Sequence, residues 1–146
     1  MQSKTQTIKA FFMSLLALVA FYLSFLVAYL VIGWILDFLS NFPIIGHVLT
    51  LFFKTKLNPP EWVLAIICPC FSRFIASFML FLLSKDNMNT LGVSETMTGS
   101  YLIVLNVIAI VLNVIYNNFS GIFTNICVII AGISFLNSGR EDRHSN

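Results

Sequence analysis

The sequence predicts an all-α membrane protein: four transmembrane helices, with an interfacial amphipathic helix between the first and the second. Three observations carry that prediction. Apolar residues make up 58% of the 146-residue chain and charged residues only 10%. Ordinary globular proteins carry roughly 25% charge, so a water-soluble surface cannot be assembled from this composition. Crossing the hydrocarbon takes about 20 mostly apolar residues at about 1.5 Å rise each, and four such runs are bounded by polar residues, 10–36, 62–83, 98–116 and 119–136. Between the first two lies a shorter stretch whose polar and apolar residues fall on opposite helical faces. The chain, 1–146, reads as one polytopic domain.

The first run follows Lys4 and Lys9, as a secretory signal would, but it is far longer than a signal core of about 7 to 15 residues. No small-x-small cleavage site follows it before Asp37. It reads as a retained, tilted helix. Ala10, Ser14, Ala17, Ser24 and Ala28 form a stripe of small residues along it, interrupted by Phe21. Such stripes let helices approach closely, which in lipid takes the place of the missing hydrophobic drive.

The stretch Asn41 to Lys54 is too short to cross. Asn41 suits an N-cap and Pro43 an early helical position. His47, Thr50 and Lys54 share one face, while Ile45, Val48, Leu49, Phe52 and Phe53 take the other. A helix over 42–53 lying flat in the outer headgroup region is expected, with a re-entrant loop as the alternative.

The second run carries Arg73 near its middle. Insertion scales put a central arginine at about +2.5 to +3.5 kcal/mol and each Leu, Ile or Phe at about −0.3 to −0.6, so the surrounding residues still carry the helix in. Asp37, Glu61, Asp86 and Glu95 all read as lying at or beyond span ends. Without a counter-charge, Arg73 must snorkel toward headgroups, bond to asparagines and freed carbonyls, or face a water-filled pathway. Pro69 removes one helical hydrogen bond and frees a carbonyl on the turn before it.

Cys68, Cys70 and Cys127 fall inside spans, an odd, buried set that argues for soft packing residues rather than a disulfide framework. The third run places Asn106 and Asn113 on one face, with Asn125 of the fourth run as their natural partner. Bonded across an interface, buried asparagines act as glue; otherwise they line a polar route. The third and fourth runs meet at Asn117-Asn118-Phe119-Ser120-Gly121, turn chemistry that suits a tight hairpin. Along the fourth, Ser120, Thr124, Cys127, Ala131, Ser134 and Ser138 make a second packing stripe. Either stripe serves contacts within one subunit or between subunits.

Cytoplasmic flanks carry the excess of Lys and Arg. One side receives Lys4, Lys9, Lys85 in the loop 84–97, and Arg140 and Arg143 in the tail, against Lys54 and Lys56 on the other. Both termini are therefore expected in the cytoplasm. Lys85, Asp86, Glu95, Arg140 and Arg143 become the candidate docking residues for a soluble partner. Paired acids, a nucleophile beside a histidine, phosphate-binding glycines and metal-ligand spacings do not occur, so no catalysis, cofactor or metal is expected. No basic cluster points to direct nucleic-acid binding. With no carboxylate read inside a span, proton-coupled transport is not expected either.

In helix count and length, with both ends inside and short tails, the chain resembles the membrane subunit of the Kiwa anti-phage defence system. It is equally similar in architecture to small bacterial immunity proteins and conjugal exclusion proteins. The Kiwa resemblance implies a homo-oligomer of the bacterial inner membrane that senses envelope disturbance and holds a soluble cytoplasmic effector. It would make the helix at 42–53 the sensor, and the 84–97 loop and tail the docking surface. The immunity resemblance implies recognition of an incoming toxin or transfer protein, and a small channel or holin-like pore is the third alternative.

Overall fold

The computed structural model describes residues 4–44, 59–85 and 87–144. Within them the chain forms four helices, α1 (Lys4–Ser40), α2 (Pro59–Leu83), α3 (Met88–Ile115) and α4 (Ser120–His144). Each contains a stretch long and apolar enough to cross a membrane. Many large apolar side chains point outward: Leu23, Trp34, Phe74, Val104 and Ile130 are exposed. Facing water this surface would be costly, whereas acyl chains match it and a helix meets its interior backbone polar groups within itself. The expected interfacial helix at 42–53, with His47, Thr50 and Lys54, falls outside the described residues from residue 45 onward.

The third and fourth helices are longer than hydropathy implies. α3 starts at Met88, so the expected loop 84–97 shrinks to the turn Ser84–Asn87. Asn87 is the N-cap, its side-chain oxygen accepting from the Asn89 and Thr90 amides at 3.1 and 3.3 Å, which satisfies two of the orphan donors of the first turn. The hydroxyls that make this stretch look like a loop turn inward along the helix. Ser94, Thr96 and Thr98 donate to the carbonyls of Thr90, Gly92 and Ser94, each at 2.8 Å. A hydroxyl bonded to its own helix no longer competes with it. α4 likewise continues past residue 136 to His144.

The hairpin between α3 and α4 forms where turn chemistry places it. Asn117 has φ 56°. Its amide donates to the Val114 carbonyl, and the Asn118 amide donates to the Asn113 carbonyl at 2.8 Å. This is a Schellman closure with asparagine in the left-handed position.

Packing follows small residues. Ala10, Ser14, Ala17 and Ala28 are buried, so the stripe on α1 is its inward face, and Phe21, read as an interruption, is fully buried with it. One core cluster joins Met13, Ala17 and Phe21 to Ala76, Leu80, Leu91, Leu102, Val128 and Phe135. A second joins Ala28 to Leu64 and Cys68. The early part of α1 thus meets the late part of α2 and its late part meets the early part, an antiparallel pair. Ser94 reaches the Ala10 carbonyl at 3.4 Å and Asn106 reaches the Tyr22 hydroxyl at 3.4 Å, so α1 and α3 run parallel. α4 packs against α3 and α2. Lys4, Lys9, Lys85 and Arg140, all exposed, therefore gather at one end of the bundle.

The closest helix contact is between α3 and α4 and rests on glycines. A Cβ built on Gly99 would stand 2.5 Å from the Gly132 carbonyl oxygen, and one on Gly139 would stand 2.7 Å from that of Gly92. Two glycines seven residues apart on each helix thus face each other in antiparallel order. The stripe expected to pack α4 lies on a different face.

Candidate functional site

Arg73 sits mid-helix on α2, but its guanidinium does not stay at that level. Nη2 donates to Ser138 Oγ on α4 at 2.9 Å, and the guanidinium carbon lies 5.2 Å from the centroid of the Phe135 ring. A hydroxyl acceptor plus a ring face is a common way to hold a cation away from bulk water. The glycine register sets Ser138 opposite Val93 of α3, and the offset between α1 and α3 sets that level beside Lys9. The side chain therefore climbs from the middle of α2 toward the charged end of the bundle. Of the alternatives read from sequence, snorkelling describes its direction, while the bond it makes is to a serine rather than to an asparagine or a freed carbonyl.

The expectation that Arg73 has no counter-charge needs correction. Glu95 is not in a loop: it lies inside α3 and is only 4% exposed. Its carboxyl is hydrogen-bonded to Asp142 of α4, and the Arg73 charge is near enough to act on it. Glu95 Oε2 and Arg73 Nε are buried without hydrogen-bond partners. Arg73, Ser138, Glu95 and Asp142 thus form one polar cluster, drawn from three helices. The reason sequence placed Glu95 outside is the polar Ser/Thr/Gly context around it, which hydropathy scores as loop. Burial also removes Glu95 from the docking residues. A carboxylate inside a helix counted as a span likewise removes the ground on which proton-coupled transport was set aside.

Of the remaining docking candidates, Lys85 and Arg140 are exposed at the charged end. Asp86 and the side chain of Arg143 lie outside the described residues.

The asparagines do not join the Arg73 cluster or one another. Asn106 is buried and its amide donates to the Leu102 carbonyl at 2.8 Å as well as to Tyr22, so the partner expected to be Asn125 is a tyrosine of α1. Asn113 packs its amide beside Gly121 at the far hairpin. Asn125 is half-buried on α4. Glue between helices describes Asn106, whereas a continuous polar lining through Arg73, Asn106, Asn113 and Asn125 is not what these contacts make.

The expected α4 stripe, in contrast, meets Arg73. Cys127, Ala131 and Ser134 line a groove of about 460 Å³ between α2 and α4, with Arg73 and Cys70 on its other wall. Ser138 ends the stripe as the acceptor from Arg73. Thr124 is half-buried and the Ser120 side chain lies outside the described residues. Ala131 is also buried in the core cluster with Leu80 and Phe135, so the stripe both packs against its neighbours and lines the groove. The cysteines are all free, but only Cys68 is buried; Cys70 is exposed and Cys127 half-buried. What sequence reasoning missed is the glycine pairing of α3 with α4, whose signal was the equal spacing of Gly92 and Gly99, Gly132 and Gly139.

Comparison with known protein families, curated proteins and solved structures returned no match to this chain.

Proposed function

We propose that the chain is a non-enzymatic, oligomeric membrane anchor of the bacterial inner membrane that docks a soluble partner at its charged end. The observation that carries this reading is the gathering of exposed Lys4, Lys9, Lys85 and Arg140 at one end of a bundle whose flanks are apolar. A soluble protein meets polar surface there, and the charge bias assigns that end to the cytoplasm. The Kiwa resemblance supplies the biological setting, a sensor of envelope disturbance that holds an antiviral effector on its cytoplasmic face. A pore through a single copy is disfavoured because Phe21, Leu80, Leu102 and Phe135 fill the space between the helices.

The experiment is purification of the full chain at native expression level in a gentle detergent, with mass photometry and identification of co-purifying chains. A defined oligomer carrying one soluble protein, lost in a Lys85→Glu, Arg140→Glu double variant that still assembles, supports the anchor. An oligomer without a partner shifts the reading to a pore formed between copies. A lone monomer leaves recognition of an incoming protein within the membrane, as in immunity proteins, as the better account.

A further inference from the structure

The groove between α2 and α4 has a direction. Its wall on α2 runs from Arg73 to Ile66 and its wall on α4 from Ser134 to Phe123, and on both helices that course leads away from the charged end. Its lining is otherwise apolar, and Cys70, Phe123, Ile126 and Ile130 are exposed along it, so the groove opens sideways to the surrounding lipid. At its top hangs the Arg73 guanidinium, drawn by Ser138 toward the level of Lys9, where the apolar part of α1 begins. A cation at headgroup depth above an apolar channel descending toward the bilayer centre is the shape of an anionic phospholipid, phosphate above and acyl chain below.

We propose that this groove binds one anionic phospholipid of the leaflet at the charged end, its phosphate on Arg73 and one acyl chain between α2 and α4. The volume of about 460 Å³ falls in the range of roughly 300–1,000 Å³ typical of small-molecule pockets. Arginine is suited to phosphate because its planar fork offers five donors and matches two oxygens at once. Only one of those donors is used by Ser138. Glu95 and Asp142 are the acidic groups of the cluster; they are hydrogen-bonded to each other, and neither lines the groove. Basic pockets between transmembrane helices at the cytoplasmic side recognise anionic headgroups in the same manner. The site stands apart from the docking surface and depends only on the chain being in a bilayer.

The test is native mass spectrometry of the full, delipidated chain, titrated with dioleoylphosphatidylglycerol or dioleoylphosphatidylcholine, which share acyl chains and differ in headgroup charge. The parent should prefer the anionic lipid by about tenfold, the value of one charged hydrogen bond, and Arg73→Gln should lose that preference. Cys127→Phe and Ser134→Phe, which fill the groove and leave Arg73 in place, should weaken retention of the anionic lipid. Equal binding of the two lipids by the parent overturns the proposal, as does an unchanged preference in Arg73→Gln. If Arg73→Gln does not fold, full retention of the anionic lipid in both groove-filled variants overturns it instead. Displacement of the bound lipid by inorganic phosphate would assign the site to a free anion and overturn the lipid assignment.

Discussion

At the scale of single residues, the polar cluster illustrates how a membrane helix keeps an ionisable group. Arg73 is half-buried, and its nearest acceptor is the hydroxyl of Ser138. Hydrogen bonds to charged groups contribute about 1.5–3 kcal/mol, so Ser138→Ala should lower stability by about that amount, with Ser138→Thr close to the parent. Unfolding in detergent by a chemical denaturant measures it, and identical curves for Ala and parent would mean that Arg73 finds another acceptor without cost. Glu95 tests the same cluster from the other side. Glutamine keeps its shape and supplies an amide donor toward Asp142, so Glu95→Gln should stay within about 1 kcal/mol of the parent. Glu95→Lys sets a second, longer cation beside Arg73 in a buried position, with Asp142 left as the acid of the cluster, and should cost about 1–3 kcal/mol by overpacking and like-charge repulsion. Comparable stability of the two variants would show that Glu95 does not feel Arg73.

At the scale of elements, the sequence made the helices legible and their mutual faces only in part. Hydropathy located all four, and turn chemistry located Asn117, because both signals are local. The extent of α3 was not legible, since Thr90, Ser94 and Thr98 are polar by composition yet buried by packing. Facing was legible for α1, where small residues lie against neighbours of ordinary size. It was legible only in part for α4, where Ala131 of the stripe joins the core while Cys127 and Ser134 line a groove and glycines make the close contact with α3. The two kinds of glycine in this chain give the sharpest check. At Gly99 an added Cβ meets the Gly132 carbonyl oxygen at 2.5 Å, whereas at Gly33 nothing lies within 4 Å. Gly99→Ala should therefore cost about 1–3 kcal/mol by overpacking, while Gly33→Ala should stabilise by about 0.5–1 kcal/mol through reduced backbone entropy. Thermal unfolding of the two variants in one detergent decides it, and equal effects would remove the close α3–α4 contact. Asn117 follows different physics: at φ 56°, replacement by Val should cost about 1–2 kcal/mol and by Gly almost nothing.

At the scale of the whole molecule, the arrangement of charge and helix direction commits the chain to one topology. α1 runs parallel to α3 and antiparallel to α2, and α4 returns beside α3, so the start of α1, the Ser84–Asn87 turn and the end of α4 share one end of the bundle. The hairpin at Asn117 and Asn118 occupies the other. α1, at 37 residues, is about 55 Å long at about 1.5 Å per residue, against roughly 30 Å of hydrocarbon, so it must tilt or project into the headgroups. The projecting part follows from the register. The hairpin is level with about Ile32, and beyond it Trp34 stacks on Phe38, which meets Phe42 just past the end of α1 edge to face, an aromatic run suited to the interface. Impermeant maleimide labelling reads this layout directly, in a chain with Cys68, Cys70 and Cys127 replaced by Ala or Ser. New cysteines at Thr5, Lys85 and Arg140 should label together from the cytoplasmic face, and one at Asn118 only from outside. Labelling of Thr5 and Asn118 from the same face would break the four-span arrangement. Labelling of all three terminal and turn positions from outside would keep the arrangement, invert the bundle, and remove the cytoplasmic partner on which the anchor reading depends.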